Sequence, residues 1–285
     1  MSRASKRRRI PGPVCRCFRS WLWDAGRGAN ARLTRERQLL SIEQEAADKR
    51  RDPPRPAHPP ALNVPGAVLA TIVLLGLVHA VRTFVLGPAA DDRLVFDLAF
   101  IPGCYETDCV GIYGRAAGAG FWTPLTHAFL HGDWAHFGLN AVWLLAFGTP
   151  VARRIGARRY VLFSVAGALA GAGLFFLVNP ALMEPVIGAS GVVSALMGGA
   201  CRFAFGASRQ FGESASEVPL LPIGRALADR TVLVFILVFF ATNLATATSF
   251  GSFISGGSAI AWEAHLGGFA FGFLCFGPFD RRRAA

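Results

Sequence analysis

Apolar and polar stretches alternate along most of the chain. Six apolar stretches stand out, at residues 64–86, 134–151, 160–178, 190–205, 231–247 and 263–279. A helix that crosses a bilayer takes about 20 apolar residues. Several of these stretches are shorter, but charged side chains at their ends can reach the interface of a thin bilayer. The pattern therefore predicts an all-α membrane protein, a bundle of six transmembrane helices. Ahead of it, residues 31–52 are helix-prone and heavily charged (Arg32, Arg35, Glu36, Arg37, Glu43, Glu45, Lys49), with Thr34 as a capping residue. This reads as a solvated or membrane-surface helix. Pro53, Pro54, Pro56, Pro59, Pro60 and Pro65 then make a stiff linker. The expected organisation is a basic N-terminal region over 1–63, a membrane domain over 64–280 and a basic tail over 281–285. Met1 leads into Arg and Lys residues with no apolar core behind them, so no cleavable signal peptide is expected.

Charge adds the orientation. Of 285 residues, 53% are hydrophobic and 16% charged, against about 25% charged in an ordinary soluble domain. Residues 1–63 hold 15 basic and 6 acidic residues, so they carry +9 of the net +11. These values exclude a disordered acidic chain, a secreted disulfide scaffold and an ordinary soluble enzyme. The second–third link carries Arg153, Arg154, Arg158 and Arg159, the fourth–fifth link Arg202, Arg209, Arg225 and Arg230, and the tail Arg281, Arg282 and Arg283. The third–fourth and fifth–sixth links carry no Lys or Arg. The first loop sets Arg93 and Arg115 against Asp91, Asp92, Asp97, Glu106 and Asp108. Basic loops thus alternate with the others, and the positive-inside rule puts both termini in the cytoplasm. Arg82, near the outer end of the first span, is expected to snorkel. The basic head lacks aromatic interleaving and zinc spacing, so no nucleic-acid partner is expected; anionic lipid is the partner its charge suits.

Polar side chains inside a span need a reason, because a charge at mid-span costs about 2.5–3.5 kcal/mol. The second span opens with His127, His131, His136 and Asn140, the fourth with Gly188, Ser190 and Gly191, the sixth with Glu263, His265 and Gly268. All three spans run from outside to inside, so these residues share one level just below the outer surface. His136 and Asn140, four apart, lie on one helix face. Gly191, Ala195 and Gly199 in the fourth span, and Ala264, Gly268 and Gly272 in the sixth, form small-residue stripes that let helices approach closely. Close approach would bring His265 within reach of Ser190, whose hydroxyl needs a base to become a nucleophile. Ser190 opens a helix, where unpaired N–H groups favour a developing negative charge, and Asn140 and His136 can add donors. No carboxylate is placed to orient the base, since Glu263 lies on another face. The reading is a Ser–His dyad.

Cys104 and Cys109 fall in the predicted outer loop, where a small disulfide or two free thiols are both open. Cys201 and Cys275 read as packing residues. His127 and His131 could share a metal by spacing, but no carboxylate or Cys joins them, so neither metal nor other cofactor is expected.

At these residues the chain resembles the rhomboid family of intramembrane serine proteases, over about residues 64–279. The motifs are His127-x-x-x-His131-x-x-x-x-His136-x-x-x-Asn140, Gly188-x-Ser190-Gly191, and Ala264-His265 followed by Gly268-x-x-x-Gly272. The resemblance implies that Ser190 is the nucleophile and His265 the general base. It implies that His136 and Asn140 help form the oxyanion hole, and that His131, and with it His127, is structural or holds water. The implied activity is cleavage of transmembrane helices of membrane-protein substrates near the outer face, in a multi-pass protein of the bacterial cytoplasmic membrane. The chain departs from the family at three places. Ser194 stands where a tyrosine often stacks on the catalytic histidine, Arg115 follows Gly114 and not a tryptophan, and Ala152 replaces an acidic residue. The alternative is a non-catalytic rhomboid-like binder of membrane helices; a transporter using the histidines is a weaker one, as no internal repeat is visible.

Overall fold

The computed structural model describes residues 35–45, 64–205, 218–246 and 261–280. The Pro-rich linker, the far basic head, Arg209 and the tail lie outside them. Chain contacts divide the molecule into two units, Met1–Asn63 and Val64–Ala285. In the first, residues 35–45 form an exposed helix, α1.

The described residues of the second unit form helices joined by loops and turns, and their one extended pairing is a bridge between Phe100 and Val186. Its helices are α2 (Gly66–Phe84), α3 (Pro88–Leu98), α4 (Cys109–Tyr113), α5 (Ala119–Thr126), α6 (Trp134–Ile155), α7 (Ala157–Val178), α8 (Ser190–Cys201), α9 (Ile223–Ala228), α10 (Arg230–Thr246) and α11 (Trp262–Cys275). Three of them, α2, α6 and α7, are long and apolar enough to cross a membrane; α8 and α10 are apolar but shorter. The apolar surface faces outward as well as inward. Leu69, Leu74, Leu77 and Val81 of α2, Leu139 and Val142 of α6, Leu162 and Leu169 of α7, and Val234 and Leu237 of α10 are all exposed. Water would penalise such a surface, whereas lipid tails would not.

Helix ends differ from the sequence expectation in physical detail. The second span runs past 151 to Ile155 because Gly156 (φ +79°) makes the turn into α7. It widens into a π-turn at Leu144–Gly148. The fourth stops at Cys201, and the sixth at Cys275, followed by a 3-10 turn at Gly277–Phe279 ahead of Asp280.

The centre of the unit is the crossing of α8 with α11. A Cβ on Gly272 would overlap the carbonyl oxygen of Ala195, and one on Gly268 would overlap that of Gly191. The two backbones touch only because both side chains are missing. Gly171 on α7 adds a third approach, since a Cβ there would stand 2.8 Å from the Ala264 carbonyl oxygen. The far end of the crossing is filled instead by aromatics. Phe163 meets Phe276 edge-on with ring centroids 5.4 Å apart, and Phe203 stacks on Phe276 at 5.3 Å. Beside them the buried pair Arg154–Asp280 closes at 2.7 Å, with the guanidinium also donating to the Val218 carbonyl and lying over the Phe203 ring.

Arg82 behaves differently from the expected snorkelling residue. It is turned inward and buried, binding both carboxylate oxygens of Asp91 (2.7 and 3.0 Å) and donating from Nη1 to the His131 carbonyl at 2.7 Å. A carboxylate and a buried carbonyl within reach hold it better than the interface would. Arg115, also buried, donates to the carbonyls of Phe96 (3.0 Å) and Ala99 (2.6 Å) and so braces the end of α3. Cys104 and Cys109, left open by the sequence, are joined in a disulfide.

Two outcomes follow from this packing. Gly272→Leu should strongly lower the thermal stability of the purified protein, while Gly173→Leu on α7, where a Cβ meets nothing within 4 Å, should leave it nearly unchanged. Alkylation followed by peptide mass analysis should label Cys104 and Cys109 only after reduction.

Candidate functional site

Ser190 is the first residue of α8, and the first intrahelical bond of that helix is Val193 N–H to Ala189 O at 2.9 Å. The N–H groups of Ser190, Gly191 and Val192 precede that bond and point out of the helix start. The approach to Ser190 is fixed by neighbouring loops. Phe100 and Val186 exchange two backbone hydrogen bonds (3.1 and 2.8 Å), and Gly188 N–H donates to the His127 carbonyl at 2.9 Å. The residue His127 therefore helps place the Ser190 loop through its backbone. Its buried ring is tied to the Thr123 carbonyl at 3.0 Å.

Gly188 has φ +121°, a conformation that disfavours a side chain. A Cβ built there would lie 2.7 Å from His136 Nε2 and 3.8 Å from Ser190 Oγ. The imidazole of His136 and the hydroxyl of Ser190 thus both lie close to Gly188. His136 itself is set by the start of α6. Asp133 caps that helix by accepting the His136 N–H at 2.7 Å, a bond that also holds its carboxyl below the ordinary carboxylate range. The ring Nδ1 accepts a long hydrogen bond, 3.4 Å, from Gly132 N–H. A neutral ring that accepts at Nδ1 carries its hydrogen on Nε2, so the nitrogen beside Gly188 is a donor. One turn on, Asn140 is buried and spends one N–H on the His136 carbonyl at 3.0 Å. Its amide has a second N–H.

His265 lies in the first turn of α11 and is half buried. Its Nδ1 meets Asn243 Oδ1 of α10 at 2.7 Å. Where family members often have a tyrosine against this histidine, the chain has Ser194, and the described hydrogen bond to the His265 ring comes from an amide of the fifth apolar stretch. Among the described residues no direct hydrogen bond joins Ser190 Oγ to the His265 ring. Glu263 accepts from Asn179 Nδ2 at 3.1 Å, away from the ring of His265.

The sequence did not single out Asn243 or His79. An isolated amide in an apolar stretch, and a histidine in the first span, carry the same cost that drew attention to the other polar residues, and that was the available signal. His79 is buried with its ring 4.6 Å from that of Trp134 and 6.4 Å from that of His131. His131 is fully buried, its ring 5.1 Å from that of His136. Neither His79 nor His131 has a protein hydrogen-bond partner at either ring nitrogen. Among the described residues no group of three His, Cys, Asp or Glu side chains is placed to hold a metal ion. Gly191, Gly268 and Gly272 lie in the helix crossing, where they permit the approach of α8 and α11.

The fold and the site define an integral membrane protein whose polar side chains gather at the starts of apolar helices. Residues 118–280, more than half of the chain, match the family model described as the Rhomboid domain, and the chain belongs to the rhomboid family. It is 37% identical over 86 residues to the human protein Rhomboid-related protein 3, covering 30% of this chain and 21% of that one. It is 30% identical over 153 residues to Rhomboid protease GlpG of Serratia proteamaculans (strain 568), covering 54% of this chain and 46% of that protein. The chain therefore spans less than half the length of these curated relatives.

Gly188→Ala should displace the His136 ring. In protein labelled with 15N-histidine, the His136 ring resonances should move and those of His79 stay.

Proposed function

We propose that the protein is a serine endopeptidase that cleaves transmembrane helices of other membrane proteins near the outer membrane face. Ser190 is the nucleophile and His265 the general base; His136 and Asn140, with the N–H groups at the start of α8, take up the charge of the oxyanion. The observation that carries the reading is the convergence at Gly188, where a Cβ would lie 2.7 Å from His136 Nε2 and 3.8 Å from Ser190 Oγ. Family membership and the relative named as a rhomboid protease support it.

The six-span arrangement with both termini cytoplasmic belongs to this proposal, as does a location in the bacterial cytoplasmic membrane. So does the division into a basic region 1–63, a membrane domain 64–280 and a tail 281–285. The disulfide between Cys104 and Cys109 supports placing the first loop on the oxidising side. Helix length supports the depth of the site. With 12 residues, α8 rises about 18 Å against a hydrocarbon core of about 30 Å. If its Arg202 end lies at one face, Ser190 lies well below the other.

In the reaction, His265 Nε2 takes the Ser190 proton as Oγ bonds to the scissile carbonyl carbon. The same proton then goes to the leaving amine nitrogen as the C–N bond breaks, and water repeats the sequence on the acyl-enzyme. A helical substrate hides its carbonyls in hydrogen bonds, so segments weakened by Gly or Pro are preferred.

The non-catalytic reading draws on the lack of a direct Ser190–His265 hydrogen bond. A fluorophosphonate probe separates the two: labelling that needs both Ser190 and His265 excludes a mere binder. Cleavage of a single-span model substrate should vanish in Ser190→Ala and His265→Ala. It should fall roughly 10²–10³-fold in His136→Ala, as expected for one lost oxyanion donor. Wild-type cleavage by Ser190→Ala would refute the proposal.

A further inference from the structure

We propose that Asn243 of α10 is a positioning residue that holds His265 in the tautomer able to act as a base. The inference rests on the protease reading and adds a third member to its Ser–His dyad, supplied by a helix that carries neither of the two.

The argument runs through the amide. Asn243 Nδ2 donates to the Phe239 carbonyl at 2.8 Å, one turn earlier on the same helix. A carbonyl only accepts, so this bond fixes which end of the amide is which. The end turned to His265 is Oδ1, 2.7 Å from ring Nδ1. An amide oxygen also only accepts, so Nδ1 must carry the ring hydrogen. A neutral imidazole has one N–H; the lone pair is left on Nε2, where a base for Ser190 needs it. Aromatic packing seats the amide. Phe239 stacks on Phe269 of α11 with ring centroids 4.4 Å apart, and Phe240 meets the same ring edge-on at 6.3 Å. These contacts hold the turn that carries Asn243 against the turn that follows His265.

No described carboxylate competes for the role. Glu263, at the start of α11, is engaged by Asn179 of α7. The titratable group that faces His265 from a neighbouring helix is His136 of α6. The orienting group is thus neutral, as in the Cys–His–Asn arrangement of unrelated proteases. Through both proton transfers described above, the Nδ1–H···Oδ1 bond stays in place, and only Nε2 gains and returns a proton.

The test uses the full chain in detergent micelles, comparing wild type, Ser190→Ala, Asn243→Leu and Asn243→Asp. Leucine removes the acceptor at similar volume. In Asn243→Leu, kcat should fall about 10- to 100-fold with KM within about twofold, less than the roughly 10²–10⁴-fold worth of the whole base. Asn243→Asp should restore most of kcat and move the acid limb of the kcat/KM profile to higher pH, because a carboxylate favours the imidazolium. In 15N-histidine spectra, the wild-type His265 should show a protonated Nδ1, and Asn243→Leu a mixture of tautomers. Wild-type kcat and pH profile in Asn243→Leu would overturn the inference, and so would equal losses in both variants with an unmoved profile. A His265 tautomer indifferent to Asn243 would overturn it even where no peptide is cleaved. Failure of the protease reading shows separately, as the absence of Ser190-dependent cleavage in the wild type.

Discussion

Everything at the candidate site depends on two helices touching backbone to backbone. The α8–α11 crossing leaves no room for a Cβ at Gly268 or Gly272. In lipid there is no hydrophobic drive to bring such helices together, so fit itself must do it, and small residues supply the fit. The crossing sets the start of α8 beside the first turns of α11. Ser190 and His265 occupy those positions on their helices. At the other end, the Phe163–Phe203–Phe276 cluster and the buried Arg154–Asp280 pair clamp the same two helices and their neighbours.

His136 and His265 differ through one bond each. His136 receives a hydrogen at Nδ1 from a backbone amide, which leaves Nε2 a donor. In the proposed arrangement His265 gives a hydrogen from Nδ1 to an amide oxygen, which leaves Nε2 an acceptor. The proposed mechanism thus uses the same side chain as an electrophile in one place and a base in another, without a carboxylate touching either ring. Such an arrangement suits a low-dielectric setting, where an extra buried charge would be costly.

Much of the helical fold, and the residues of the candidate site, could be picked out because a membrane makes polar residues conspicuous. Ser190, His265, His136 and Asn140 stood out against apolar surroundings, and the glycine stripes named the surfaces that meet. Asn243 escaped because its meaning comes from the His265 ring on α11, 22 positions away, and not from its own segment. His79 escaped for the same reason, its neighbours Trp134 and His131 lying on and before α6. Arg82 was misread because snorkelling follows from position alone, whereas its actual partners, Asp91 and the His131 carbonyl, depend on how the first loop folds back. The cysteine pair stayed open for want of the geometry that decides it.

The glycine at 188 shapes more than the chain's path. The point where its missing carbon would sit is 2.7 Å from His136 Nε2 and 3.8 Å from Ser190 Oγ. A methyl group at that point would collide with the ring nitrogen. The place of the His136 imidazole and the course of the loop that leads to Ser190 are therefore set together, by one absent carbon.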